Sequence, residues 1–469
     1  MDFLLLAVAL CLLMLAGFGL SLLLLPKQSL GATELFALSL LFGSAVVSSA
    51  LFVSGFLISG ANLRWAVAAL CVSLGVAGWR RAGRIADVPS AIGGWMARTK
   101  RPRFKSGWWL MALNTAQVAV ITWLSFVRVL GWDGLLNFES KARVAFLNGG
   151  VIPLELFSDP SRTWMHQSYP LLLPLTETWL YLWLGRADQE LVKILFPLFF
   201  AAALCLVLAG NRRLGISGGR VFIAPVLIFT VPLLLIGDGS ASSGYADFPL
   251  AVFYLAAVIW LMEFWRRGDF AALRLAGALL AGACWLKQEG LILWLCLMAL
   301  MAIKLMVDRS AWRTWRQLLI AALPGLVVIA TWRGFVRLMN PPGGDEFLPI
   351  SLNTLQANLW RLPGIIRAVL NELANWRHWG MFWIAISLAT AWLIRSALRQ
   401  KQSEPAGLVL AVLTPIALYS GVYVFSIWPD FIGHLESSFP RLLIHIALVA
   451  SLLPGVALGQ ESSADVTGK

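Results

Sequence analysis

Charge is what this chain has least of. Of its 469 residues only 13% are Asp, Glu, Lys or Arg, against the ~25% of a soluble domain, while 59% are hydrophobic. Water cannot solvate a surface of that composition, so a soluble globular class is excluded and a bilayer is the expected solvent. The ~10-residue alternating segments of a membrane barrel are missing as well. The five cysteines (Cys11, Cys71, Cys205, Cys284 and Cys296) all fall in apolar runs, with no CxxC and no histidine spacing to match. A disulfide framework and a zinc site are therefore not expected. There is no Walker A loop, GxGxxG or HExxH, so P-loop, dinucleotide and zinc-protease chemistries lack their signatures. Neither an internal repeat nor a low-complexity tract is present. The N-terminus has no positive n-region and no small-residue cleavage site, so Leu4 to Leu25 is expected as a retained first span.

What the chain has in quantity is apolar runs of crossing length, with a mean hydropathy of +0.77. Apolar backbone in lipid must satisfy its own N–H and C=O groups, which makes the runs helices. The expected fold is all-α, a polytopic integral membrane protein of about 13 transmembrane helices. The spans are placed near 3–25, 31–57, 62–79, 108–130, 190–210, 221–237, 247–265, 270–286, 289–306, 318–338, 379–396, 407–428 and 440–458. The net charge of +13 reads as loop charge and not as nucleic-acid binding. Loop 80–107 carries Arg80, Arg81, Arg84, Arg98, Lys100, Arg101, Arg103 and Lys105 against one acid, Asp87, and is expected to be cytoplasmic. Alternation then puts Arg212, Arg213, Arg220, Arg266, Arg267, Arg274, Lys304, Arg309, Arg313, Arg316, Arg395, Arg399 and Lys401 on that same side. The N-terminus is expected outside and the C-terminus inside. The opposite side receives loops 131–189, 238–246, 339–378 and 429–439. Tyr169 to Gly185, broken by Pro170 and Pro174, reads as a helix lying at the membrane interface, with Trp179, Tyr181 and Trp183 at headgroup level. Four regions follow: a three-helix anchor (1–79), a basic cytoplasmic loop (80–107), a central module (108–338) and C-terminal helices with outer loops (339–469).

The chemistry-bearing residues gather in the outer loops. Asp133 stands where a span meets the first long loop, a place for a general base toward a hydroxyl, although Asp133-Gly134 also reads as a turn. Glu139 and Lys141 follow as site candidates, and Glu139 also makes an i,i+4 pair with Arg143. His166 and Tyr169 open the interfacial segment. Asp247 begins a span, where an acid needs a role or a partner, and Lys287 and Glu289 interrupt two spans with almost no loop. Mutual pairing with snorkelling explains Lys287 and Glu289 as well as phosphate binding by Lys287 does. Arg333 and Arg441 sit near outer span ends and suit a phosphate, while Arg337 suits snorkelling.

In order along the chain, Asp133, then His166-Gln167-Ser168-Tyr169-Pro170-Leu171-Leu172, Asn211-Arg212-Arg213, Tyr245-Ala246-Asp247 and Lys287 resemble the C-type membrane glycosyltransferases, in particular the protein O-mannosyltransferase and aminoarabinose transferase-like bacterial enzymes. The likeness covers residues 108–338. Each motif is short, and the order and sidedness carry the resemblance. Two departures stand out: Gly134 follows Asp133 where the mannosyltransferases place two acids side by side, and the oligosaccharyltransferase-like DxD is missing.

The resemblance implies an inverting glycosyltransferase of the bacterial inner membrane, using a polyprenyl-phosphate-sugar donor and working on the extracytoplasmic face. It implies Asp133 as base with Glu139 as the second acid, Lys287, Arg333 and Arg441 on the donor phosphate and lipid, and Lys141, His166, Tyr169, Asp247 and Glu289 toward substrate. No cofactor is expected and no divalent metal is indicated. The expected partners are that donor, an acceptor that is a lipid, glycan or protein, and membrane lipids, with no nucleic acid. A glycan polymerase or ligase would keep a similar outer loop. A flippase or transporter would show inverted repeats and midplane charges, which the sequence lacks.

Overall fold

The computed structural model describes residues 1–25, 30–85, 106–342, 346–400 and 403–459. Most of the basic loop 80–107 and the C-terminal tail from residue 460 lie outside the described residues. Among the described residues the chain is all-helical, with one isolated β-bridge between Phe347 and Ser426. Eleven helices among the described residues are long and apolar enough to cross a membrane. The main helices are α1 (Asp2–Leu24), α2 (Ala32–Ser54), α3 (Gly60–Ile85), α4 (Ser106–Val127), α5 (Ser140–Leu147), α6 (Leu172–Leu184), α7 (Leu195–Arg213), α8 (Ile223–Phe229), α9 (Pro232–Ile236), α10 (Asp247–Arg267), α11 (Phe270–Leu286), α12 (Glu289–Val307), α13 (Trp312–Met339), α14 (Leu362–Leu373), α15 (Phe382–Gln400), α16 (Ser403–Val422) and α17 (Phe431–Ala450).

Two expected spans differ. Segment 270–286 is a 17-residue apolar helix, α11, shorter than the eleven. Segment 221–237 is not one helix but two, α8 and α9. Pro232 cannot donate to the turn before it and forces Val231 into extended backbone at φ −96°, ψ 105°.

The interfacial helix is corrected too. All thirteen residues of α6 are buried inside the protein. Trp179 donates to the carbonyl of Ala9 at 2.9 Å and Tyr181 to Glu139 at 2.9 Å, so these rings are bonded within the protein and do not sit among lipid headgroups. The residues carry the reason: α6 is apolar on nearly every face, and such a helix is covered by neighbours rather than laid on a surface.

Helix α10 is the axis of the bundle, with 94% of its most apolar stretch buried. Helices α4 and α13 lie at the periphery and expose Trp108, Trp109, Trp123, Leu323 and Val327, an apolar girdle suited to lipid. Small residues let backbones touch. A side chain at Gly17 would lie 1.9 Å from the carbonyl of Ser39, and one at Gly277 2.0 Å from that of Ala321. The N-terminal helices are bonded to the rest of the bundle. Trp285 of α11 donates to Ser48 of α2 at 3.0 Å, and Arg213 of α7 pairs with Glu34 of α2 at 2.5 Å.

The polar groups sort to two ends. At one, Arg213 and Arg267 meet Glu263 at 3.2 and 3.1 Å, and Arg266 meets Glu404 at 3.2 Å. These arginines are the ones expected together on one side. At the other end, residues from loops 131–189, 238–246, 339–378 and 429–439 and from the 287–288 turn meet.

Candidate functional site

Asp133 is seated by backbone contact. Gly131 donates to the carbonyl of Ser243 at 2.8 Å, and a Cβ at Gly134 would lie 2.8 Å from that same oxygen. The chain then winds as a π-helix over Gly134–Glu139, a wide turn that is common at functional sites. The departure at position 134 thus has a cause: a second acid there would collide with the Ser243 carbonyl. Asn137 donates to one Asp133 oxygen at 3.0 Å, and Arg441 forms an ion pair with the other. Arg441 follows Pro440 inside α17, and its guanidinium lies 5.5 Å from the centre of the Tyr245 ring.

One turn along α17 lies a second charged group. His445 bonds Asp247 Oδ1 at 3.0 Å, and Lys287 bonds the same oxygen at 2.7 Å and Glu289 at 3.0 Å. Tyr419 closes the chain on His445 Nδ1 at 3.2 Å. Asp247 Oδ2 and Glu289 Oε2 are buried with no hydrogen-bond partner among the described residues. Gly290 packs on the carbonyl of Ala283, where a Cβ would lie 2.1 Å away, and this fixes the sharp turn that carries Lys287.

The third group is Lys141, fully buried, whose ammonium donates to the carbonyl of His166 at 2.8 Å. Burial pushes its pKa down to about 7. His166 sits at φ +43°, a left-handed conformation, and stacks on Tyr169 at 4.9 Å. Burial lowers the His166 pKa against the pull of Glu346 and Asp133, and burial raises that of Tyr169. Ser168 joins this group to the others, accepting from Gln288 at 3.1 Å and, through its carbonyl, from Trp332 at 3.0 Å. Trp332 in turn stacks on Phe335, which helps to line an apolar cavity of ≈ 230 Å³ with Phe52, Phe56, Pro153 and Phe157.

Asp133, Lys141, His166, Tyr169, Asp247, Lys287, Glu289 and Arg441 therefore meet at one end. Arg333 does not join them. It is exposed and has no ion pair among the described residues, because Trp332 takes the inward position and the next residue on a helix turns ~100° away. Glu139 is buried but occupied, its Oε1 accepting from Arg143 at 2.9 Å and from Tyr181. Sequence reasoning missed Asn137, Tyr419, Glu346 and Glu177, and gave His445 no role. A lone acid or histidine inside an apolar run was the available signal for Glu177 and His445.

The fold and this charged end define a multi-pass helical membrane protein with ionisable groups gathered from five separate stretches of chain. No protein-family model matches the chain, and no curated protein or solved structure is detectably similar to it.

Proposed function

We propose that the protein is a membrane glycosyltransferase that moves a sugar from a polyprenyl-phosphate donor to an acceptor hydroxyl, at the outer face of a bacterial inner membrane. The observation that carries this reading is the meeting of Asp133 and Arg441 beside the Asp247–Lys287–His445 group, in which Asp133, Asp247 and Lys287 come from the stretches that resemble the C-type enzymes. Arg441 and Lys287 receive the donor phosphate without Arg333, which was expected beside them. Drawing Arg441 toward phosphate loosens Asp133, which then accepts the acceptor proton. The acceptor oxygen bonds the anomeric carbon with inversion as the bond to phosphate oxygen breaks, and the paired cations stabilise the leaving group. The apolar cavity beside Trp332 offers a dry wall for the lipid chain.

The test uses full-length protein in nanodiscs with a radiolabelled polyprenyl-phosphate sugar, donor hydrolysis being read first with water as acceptor. Asp133→Asn keeps the shape and removes the base, and is expected to lower turnover by roughly 10²–10⁴-fold while lipid binding persists. Arg333→Ala is expected to leave turnover unchanged. Near-normal turnover in Asp133→Asn, together with its loss in Asp247→Asn, would move the base to the other carboxylate.

A further inference from the structure

Away from these groups, α6 carries an acid that the proposed reaction does not use. Glu177 is 1% exposed, and both of its carboxyl oxygens are buried without a hydrogen-bond partner. Among the described residues it has no ion pair either. The groups on the packed elements are already engaged or point elsewhere. Asp2 is held by Arg186, and Glu34 by Arg213 at the opposite end. Arg64 of α3 bonds the Leu182 carbonyl, and Lys193 bonds the Arg128 carbonyl and Glu190. Asp188 is taken by Arg186, Arg274 of α11 is exposed, and Lys141 is tied to His166. The charge that reaches Glu177 is that of Glu139, a like charge, whose Oε1 is shared by Arg143 and the Tyr181 hydroxyl. Tyr181 stands at i+4 from Glu177, on the same face of α6.

An unpaired carboxylate in such a place costs several kcal/mol, and a neutral acid avoids that cost. Ionisable groups inside membrane proteins recur in proton relays. We propose that Glu177 is a proton-binding site, a neutral carboxylic acid that exchanges its proton with Glu139 through the Tyr181 hydroxyl. In that step the Glu177 carboxyl, which forms no hydrogen bond at rest, turns to the Tyr181 hydroxyl; the Glu177 O–H bond breaks, Tyr181 oxygen takes the proton and its own proton passes to Glu139 Oε1. Glu177 is left ionised and Glu139 neutral, so charge balances. Burial also raises the Glu177 pKa well above the usual carboxylate range.

The site stands apart from glycosyl transfer and is tested without it. In nanodiscs at pH 8, the infrared band of a protonated carboxyl is expected in wild type and lost in the near-isosteric Glu177→Gln. Peptide mapping after treatment with dicyclohexylcarbodiimide, which adds to protonated acids in apolar surroundings, should label Glu177 more than ~10-fold over exposed Glu155. A carboxyl band unchanged by Glu177→Gln would overturn the site. Tyr181→Phe keeps the ring and removes the relay, so the shift of that band after transfer to D2O should slow more than ~10-fold. An unchanged exchange rate would overturn the relay.

Discussion

Replacing Arg441 with methionine keeps an unbranched stem against Tyr245 and removes the guanidinium. Asp133 then keeps only the Asn137 amide. The size of the effect follows from burial, since the side chains of Arg441 and Asp133 are 26% and 18% exposed. A pair fully in solvent contributes ~0–1 kcal/mol, and breaking a fully buried one costs ~3–5 kcal/mol. A pair screened to this extent falls between, so Arg441→Met is expected to cost about 2 kcal/mol. Asp133→Asn alone leaves the cation unpaired and costs a similar amount. The double variant removes both charges and should lose clearly less than the two single losses added, with a coupling of about 1–2 kcal/mol. Reversible unfolding in mixed detergent micelles, followed by tryptophan fluorescence, measures all four corners of the cycle. Losses that add to within ~0.5 kcal/mol would show that the two groups do not interact energetically, and the seating of Asp133 would have to be credited to Ser243 and Asn137.

Gly134→Ala sets a methyl 2.8 Å from the Ser243 carbonyl and is expected to destabilise by ~1–3 kcal/mol in the same assay, whereas Gly334→Ala, with nothing within 4 Å, should not. Lys141 is released protonated on unfolding and has its folded pKa pushed down to about 7, so between about pH 7 and 10 the unfolded state binds more protons and stability rises with pH. In Lys141→Met that part of the slope should vanish; a slope identical to wild type would refute the assignment. Thiols introduced at Ser158 and Asn353 should react with an impermeant maleimide added outside cells, and one at Ser90 should not; labelling at Ser90 would invert the proposed orientation.

The helical class and most of the membrane-spanning helices were legible because hydropathy over ~20 residues is a one-dimensional property. The gathering of loops 131–189, 238–246, 339–378 and 429–439 at one end was legible for the same reason, since alternation assigns each loop an end. What the sequence does not carry is rotation about a helix axis. Arg333 and Trp332 are adjacent in the chain, yet only packing decides which of them turns inward. Burial of α6 was illegible for a related reason: a largely apolar helix flanked and interrupted by proline reads alike whether lipid or protein covers it. Gly134 looked like a missing acid until the Ser243 carbonyl explained it. The division into regions by loop position likewise gave no hint that α2 bonds residues in α7 and α11.

That last contact has a consequence for how the molecule is made. The partner that Ser48 receives, the Trp285 indole, lies 237 residues further along the chain, and the partner of Glu34 lies 179 residues further. At ~5–20 residues per second of synthesis, α2 waits roughly 10–50 s in the membrane before α11 emerges. Glu34 has no arginine until α7 is made, and through the whole interval the serine face of α2 has no indole. The first three helices hold together meanwhile by their own packing, close at the glycines and apolar at residues such as Leu13 and Leu41, which makes that seam the nursery of the molecule: weaken Gly17 or Gly43, and the defect would surface during biogenesis, before the finished protein has had any chance to be unstable.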